Sequence, residues 1–446
     1  MMPMEVTTIA AATSRLYYYD DTTLSEFDAS VLGVRELVGE DGVPRIAVRL
    51  DRTAFYPTSG GQPHDTGSLG EVRVVEVVED PADTRVIWHL LAEPEPTLGS
   101  RVRGRIDWAR RFDHMQQHTG QHLLSTAFED ALSAPTVGFH LGSTSSTIDL
   151  EISGRSEGDR HPTLTWEMAF EIEAAVNAVV WQNRPVVVRI VDAEEIASIP
   201  LRKPPVVTGK VRVVWVEAYD ASACGGTHVG ATGEIGIIKI TGIEHYKGGV
   251  RVSFVCGGRA LKAYQASLHT LQRASLALSV GPDDLLAAIT RLEDDTKLLR
   301  RDVRRLRETV LDDEAEALWV GASVVDGTRA IASHWDGRDF ADVRALAGRL
   351  RERPGVLLLF AVTEGGAVRV LVARSDDLDT LHAGAILRAL LDGLGGRGGG
   401  SATMAQGGTA YHPPEVILAA LQDALSSLRL RVDVDGYHRQ SVWRHR

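Results

Sequence analysis

Two short strings hold the residue types best able to bind a metal. His118 and His122 are four apart, so on a helix their imidazoles share one face about one turn apart, which is ligand spacing. His114 lies a further four residues back on that face and reads either as a bystander or as a support behind the ligands. In the second string, Cys224-Gly225-Gly226-Thr227-His228, a thiol and an imidazole flank a Gly-Gly turn, so both can reach one ion. Imidazole with thiolate is the donor chemistry that zinc (Zn2+) prefers. Four tight ligands would close the tetrahedron as in structural sites, whereas one loose ligand would leave a position open. No Asp or Glu stands out as a general base.

These residues need elements to hold them. From Asp107 the pattern is helical, with Leu123, Leu124, Ala127, Phe128 and Leu132 on one apolar face. Strand-like runs at Val211–Val216 and Ile235–Ile240 flank the Cys-Gly-Gly turn, which gives an α+β domain over 105–257. Ahead of it, Val43–Leu50 and Val72–Val78 are short β-rich runs bounded by turn residues, and residues 1–104 read as a small β-barrel domain. Between those runs lies Phe55-Tyr56-Pro57-Thr58-Ser59-Gly60-Gly61-Gln62, a loop whose glycines let backbone approach a ligand.

After Gly258 long helices are expected, and residues 258–315 read as a helical, coiled-coil-like linker. Leu285, Ile289, Leu292, Thr296, Leu299, Val303, Leu306 and Val310 alternate four-three spacing, a heptad seam. Its partner is either the segment around Leu261–Leu278 folded back, or a second copy of the chain in a homodimer. Residues 316–446 read as an α/β domain, with strands at Val356–Val362 and Val368–Ala373 and a helix at Ala383–Leu391. The glycine-dense stretch from Gly393 to Ser401 is expected to be a backbone-lined binding loop.

Bulk properties narrow the classes. A chain of 446 residues exceeds one compact core, so an α+β multidomain protein is the expectation. Only Cys224 and Cys256 are present, too few for a disulfide framework, and the start lacks a signal-peptide pattern. No stretch nears the roughly 18 apolar residues of a membrane span, so a soluble, cytoplasmic protein without a membrane partner is expected. Net charge is −12, which excludes indiscriminate binding to polyanions and makes any RNA contact local. Lys297, Arg300, Arg301, Arg304, Arg305 and Arg307 form the candidate phosphate footprint.

The strings His118-Thr119-Gly120-Gln121-His122-Leu123-Leu124 and Cys224-Gly225-Gly226-Thr227-His228 resemble the two zinc-binding motifs of alanyl-tRNA synthetase editing domains. Residues Phe55–Asp65 look like the glycine-rich motif of the free-standing alanyl-tRNA editing proteins. Gly398-Gly399-Gly400-Ser401 with Met404–Gly408 is similar to the glycine-rich end of the synthetase's C-terminal DHH-associated domain. The order of motifs is the family's order, and the chain is identified as a member of its long, free-standing form. Gln121 stands where the synthetase motif has Thr, and Phe139-His140-Leu141-Gly142 replaces its Gln-containing strand; both departures resemble the free-standing branch.

The resemblance implies zinc-dependent hydrolysis of the ester linking serine or glycine to alanine tRNA, without aminoacylation. His118, His122, Cys224 and His228 would hold the metal. Thr53, Gly60, Gly61, Gln62, Gln121 and His140 would face the substrate, with Thr53 sensing the serine hydroxyl. Arg300, Arg301, Arg304, Arg397, Gly398, Gly399 and Gly400 would hold tRNA. A pocket built for alanine rejects an added hydroxyl by only about a hundredfold, which explains the need for a second sieve. The rival readings are a tRNA-binding adaptor stapled by structural zinc, and a DHH-type phosphoesterase, whose two-metal site needs an acidic array that is missing before residue 320.

Overall fold

A computed structural model describes residues 15–92, 101–152, 164–196, 198–202 and 209–430. The chain divides into two compact units, Met1–Ala277 and Leu278–Arg446.

In the first unit, after a short strand at Arg15–Leu16 and a helical turn at Tyr17–Asp20, six strands form a ring: β1 (Glu26–Val38), β2 (Pro44–Leu50), β3 (Gly67–Leu69), β4 (Val72–Asp80), β5 (Asp83–Leu91) and β6 (Arg101–Ile106). They pair in the order β1-β2-β5-β4-β3-β6, and β6 returns to pair with β1, so the ring closes and leaves no edge. The sequence of β6, Arg-Val-Arg-Gly-Arg-Ile, puts arginines outside and Val102, Gly104 and Ile106 inside, the period of two that a one-sided strand requires. Phe27, Val48, Leu50, Val74, Ile87 and Leu91 complete the interior.

Helix α1 (Trp108–Leu132) follows, started by the Asp107 carboxylate accepting the Arg110 amide at 3.2 Å. Around it stand β7 (Thr136–Leu141), β8 (Ser146–Leu150), α2 (Trp166–Trp181), β9 (Val186–Val191), β10 (Val211–Val216), β11 (Asp220–Ala223), β12 (Ile238–Tyr246), β13 (Gly249–Cys256) and α3 (Gly257–Leu278). They make one sheet in the order β12-β13-β8-β7 and another in the order β9-β10-β11. The strand expected from Ile235 starts at Ile238, because Thr232–Ile235 forms a 3-10 turn first.

From His114 to Phe128 the helix α1 is buried on all faces although many of its side chains are polar. Buried polar groups must be paired. Gln117 meets this by donating to the Cys256 carbonyl (3.1 Å) and accepting the Cys256 amide (2.7 Å), while Gln116 donates to the Glu234 carbonyl (2.9 Å). The helix thereby becomes the axle of the unit. The boundary drawn between 104 and 105 is crossed by a fully buried ion pair. Arg111 binds Asp65 through both Nε and Nη2, and its remaining donors reach the carbonyls of Thr22 (2.9 Å) and Ala54 (2.6 Å).

In the second unit α4 (Leu285–Gly321) is one continuous helix, so the expected linker boundary at 315 falls inside it. Its last turns bury Leu311 and Ala315 against Phe340, Val343 and Leu346. The heptad positions Leu292, Leu299, Val303, Leu306 and Val310 are exposed. Beyond α4 lie β14 (Thr328–Asp336), α5 (Phe340–Arg351), β15 (Val356–Glu364), β16 (Ala367–Arg374), α6 (Ala383–Gly393), β17 (Arg397–Gly400), β18 (Met404–Ala410) and α7 (Pro414–Ser427). Strand 324–325 and then β14-β15-β16-β18-β17 form a six-stranded sheet, so this is the expected α/β layer.

One expectation is corrected here. Gly398, Gly399 and Gly400 are not in a loop but in edge strand β17, paired with β18. Helix α6 packs so closely that a Cβ on Gly398 would stand 2.9 Å from Leu391 and 2.6 Å from the Gly407 Cα, so glycine permits the strand here. No helix among the described residues is long and apolar enough to cross a membrane.

The Asp65–Arg111 pair yields a first prediction. Arg111→Met strands a fully buried carboxylate, which costs about 3–5 kcal/mol. The first unit should unfold at a clearly lower urea midpoint, and an unchanged midpoint would refute the role given to the pair.

Candidate metal centre

His118 and His122 project from the middle of α1, where burial is complete, and Cys224 and His228 come from the turn after β11. The ligand atoms of all four lie within 4.8 Å of one another. Cys224 Sγ stands 3.4 Å from His118 Nε2 and 3.3 Å from His228 Nε2. Metal–ligand bonds of about 2.0 Å to nitrogen and 2.3 Å to sulfur make a tetrahedral edge of roughly 3.5 Å, so these separations suit zinc. The three histidines are buried and Cys224 as a residue is half-buried.

Each ring has its outer nitrogen engaged. His118 Nδ1 donates to the Gln62 Oε1 at 2.8 Å, and that oxygen also accepts the Thr227 amide at 3.1 Å, while Gln62 Nε2 donates to the Thr227 hydroxyl at 2.8 Å. His122 Nδ1 donates to the Asp220 carboxylate at 3.0 Å. His228 Nδ1 faces the Thr119 hydroxyl at 3.1 Å. These contacts turn all three Nε2 atoms toward one point, as outer partners do for metal-bound histidines. The donor chemistry and its support therefore fit zinc.

The electrostatics favour a thiolate at Cys224. Burial alone would raise the Cys224 thiol, but the imidazoles of His118 and His228 outweigh it and hold it well below the usual thiol range. Burial likewise opposes charge on His122, yet the Asp220 bond and the Cys224 sulfur lift it to about 9. Asp220 is pulled to about 2, since His122 and Arg202 more than offset its burial. His228 is pushed to about 3, chiefly by burial. A thiolate is thus favoured where a metal ligand must be one.

Gly226 is required for contact rather than for its turn. A Cβ there would collide with the His118 ring and reach Gln62 Oε1 at 3.0 Å. Arg212 Nη1 clamps the same turn through the carbonyls of Cys224 (2.7 Å) and Gly226 (2.8 Å).

The other expected residues fall in different places. Gln62 is fully buried with both amide ends committed to His118 and Thr227, which makes it a support of the candidate ligand His118. Gly60 and Gly61 form the tight turn before it, both at positive φ, and the Gly61 carbonyl accepts the Leu141 amide at 3.0 Å. Gly61 and Gln62 line a cleft with His140. Gln121 donates to the Ser125 hydroxyl at 2.8 Å. Thr53 is buried inside the barrel, its hydroxyl 2.8 Å from His89 Nε2 and accepting the Phe55 amide at 3.0 Å. His114 stands outside the ligand cluster and lines the cleft. On α4, Arg300, Arg301 and Arg304 are exposed, whereas Lys297, Arg305 and Arg307 pair with Asp294, Asp302 and Asp339. Arg397 and its glycines lie exposed on the sheet edge.

Asp220 was the residue missed. The alternation of β11 carried a signal for it: Asp220, Ser222 and Cys224 are two apart and so share a face.

Residues 211–253 match the family model described as Threonyl and Alanyl tRNA synthetase second additional domain, and residues 327–429 match the DHHA1 domain. The Alanyl-tRNA editing protein AlaX-L of Pyrococcus horikoshii is 31% identical over 430 residues, covering 93% of this chain and 99% of that protein. The Alanine--tRNA ligase of Pyrococcus abyssi is 33% identical over 404 residues, covering 88% of this chain; the chain spans 42% of the ligase's length. Among solved structures, the C-Ala domain of Aquifex aeolicus alanyl-tRNA synthetase aligns with 24% identity and a TM-score of 0.22, over 24% of this chain and 97% of that one.

The site predicts about one zinc per purified chain. Cys224→Ala and Gly226→Ala should each lower zinc content, the second by displacing His118, while Cys256→Ala should not. Elemental analysis of the three variants checks this, and equal loss from Cys224→Ala and Cys256→Ala would dismiss the assignment.

Proposed function

Since the chain belongs to the family of alanyl-tRNA editing proteins, we propose that it is a trans-editing hydrolase that removes serine or glycine from mischarged alanine tRNA. The observation that carries this reading is the convergence of His118, His122, Cys224 and His228 on one point, with Gln62, Asp220 and Thr119 holding their rings. Zinc bound there supplies Lewis acidity toward an ester carbonyl or a water. The chain's own residues do the positioning. Gln62 joins the glycine loop to the ligand His118, so the loop that borders the substrate cleft is coupled to the metal centre through one side chain.

The adaptor reading has one observation in its favour: a set of four protein ligands is what structural zinc uses. The two readings separate in one assay. Serine-charged alanine tRNA should be deacylated by the zinc-loaded protein, lost on chelation and regained with zinc. Undiminished tRNA binding without deacylation would establish the adaptor instead.

The hydroxyl sieve is proposed to involve Thr53. Its oxygen is already shared by His89 and the Phe55 amide, so Thr53→Val unpairs both and should also cost stability, about 1–3 kcal/mol. On this proposal serine-charged tRNA is deacylated roughly ten- to hundredfold more slowly while glycine-charged tRNA is affected less. The single-turnover rate ratio of the two substrates tests it, and an unchanged ratio would move selectivity to Gln121 or His140. Arg300, Arg301, Arg304 and the Arg397–Gly400 edge are proposed as tRNA contacts, and the cytoplasm as the place of action.

A further inference from the structure

Beside the glycine loop the first unit has a cleft of about 1240 Å³, above the roughly 300–1,000 Å³ of small-molecule sites. Its size suits an extended ligand. Three cations border it: Arg110, Arg259 and Lys262. Arg259 is neutralised by Asp113 and tied to the Gly142 carbonyl. Arg110 spends only Nε, on the His64 carbonyl at 2.9 Å, and has no ion pair among the described residues. Lys262 is exposed and likewise unpaired among them. Glu40 is the one uncompensated acid on the rim.

The floor carries the second observation. His114 is 3% exposed and its Nδ1 is buried with no hydrogen-bond partner among the described residues. An unpaired buried polar atom is unfavourable and calls for an explanation. Burial, with Arg110, Arg259 and Arg111 around it, pushes it to about 3, so the ring is neutral in a positive field. A neutral imidazole offers one N–H, and the field favours an anionic acceptor.

We propose that this cleft is a phosphodiester-binding channel for the RNA strand that carries the ester, with Arg110 and Lys262 as charge contacts and His114 as the buried hydrogen-bonding floor. This rests on the deacylase reading. It adds to that reading a track along which the strand lies, ending at the Gly61–Gln62 turn that also lines the cleft.

The test uses the full zinc-loaded chain and uncharged alanine tRNA, followed by fluorescence anisotropy against salt. Arg110→Gln with Lys262→Gln should weaken binding on the order of tenfold and flatten the slope of log K against log salt by about 1.4, two single-strand contacts at about 0.7 each. Lys210→Gln with Arg85→Gln, which removes two exposed cations elsewhere, should do neither. His114→Leu should weaken tRNA binding while leaving the thermal midpoint unchanged or raised, because it removes an unpaired polar group from the free protein. Inorganic phosphate at matched ionic strength should not displace the tRNA. An unchanged slope in the Arg110/Lys262 variant, or a His114→Leu protein that binds tRNA normally, would overturn the proposal. Displacement by phosphate would replace the channel with a single anion site. Because binding is read without hydrolysis, a wild type that fails to deacylate refutes the function and leaves this result independent.

Discussion

The geometry of the candidate metal centre depends on the buried pair between Arg111 and Asp65. Arg111 precedes His118 by seven residues, two turns of α1, so both side chains leave the same face about 10.5 Å apart along the axis. Asp65 follows Gln62 by three residues in the glycine loop, and its carboxylate also accepts the Tyr56 amide at 2.7 Å. One ion pair thus fixes the loop against the helix at one end. The Gln62–His118 bond fixes it at the other. Neither contact would be held by local propensity, since the loop has no ladder of its own beyond the Ser59–Gln62 turn.

Such a pair gives little net stability compared with apolar packing, because two charges lose their water. Its value is specificity. The guanidinium places all of its engaged donors on one carboxylate and two carbonyls, which ties the loop to the helix at one register. The same economy recurs around Asp220, which accepts from His122, Thr126, Arg202 and Ser222 and so leaves little freedom for the ring it orients. Precision at the four ligand atoms is therefore set by buried polar partners, while the apolar core around Leu123, Phe128, Ile238 and Phe254 provides the stability.

Periodicity made the elements legible and left the partners obscure. The helix from Asp107, the strand Val211–Val216 and the α/β pattern after residue 320 follow from spacing alone. Residue type and spacing also marked the candidate ligands, with the family resemblance favouring His118 and His122 over His114. Gln62 was visible as a loop residue but not as a support for His118, because its partner is 56 positions away and no local pattern encodes that distance. Thr53 hid its partner in the same way: its hydroxyl lies beside His89, 36 positions along the chain, a neighbour that no local pattern gives. The glycine run of β17 misled for a steric reason. Its low strand propensity is overridden by the close approach of α6, a tertiary fact.

Charge poses the remaining constraint. A chain of net charge −12 repels polyanions at long range, but the Debye length at physiological salt is about 8 Å, so distant acids are largely screened and local pairing decides. On α4 that pairing is selective. Lys297, Arg305 and Arg307 are each matched by an aspartate, and Arg300, Arg301 and Arg304 are not matched among the described residues. Positions 300 and 304 are one turn apart and 301 lies three before 304, so the three guanidinium groups share one side of the helix. A solvated helical face would distribute its acids among its bases; here the acids neutralise the neighbours and leave one compact cationic patch. If the protein handles RNA as proposed, affinity on this helix comes from that patch and not from the basic run as a whole.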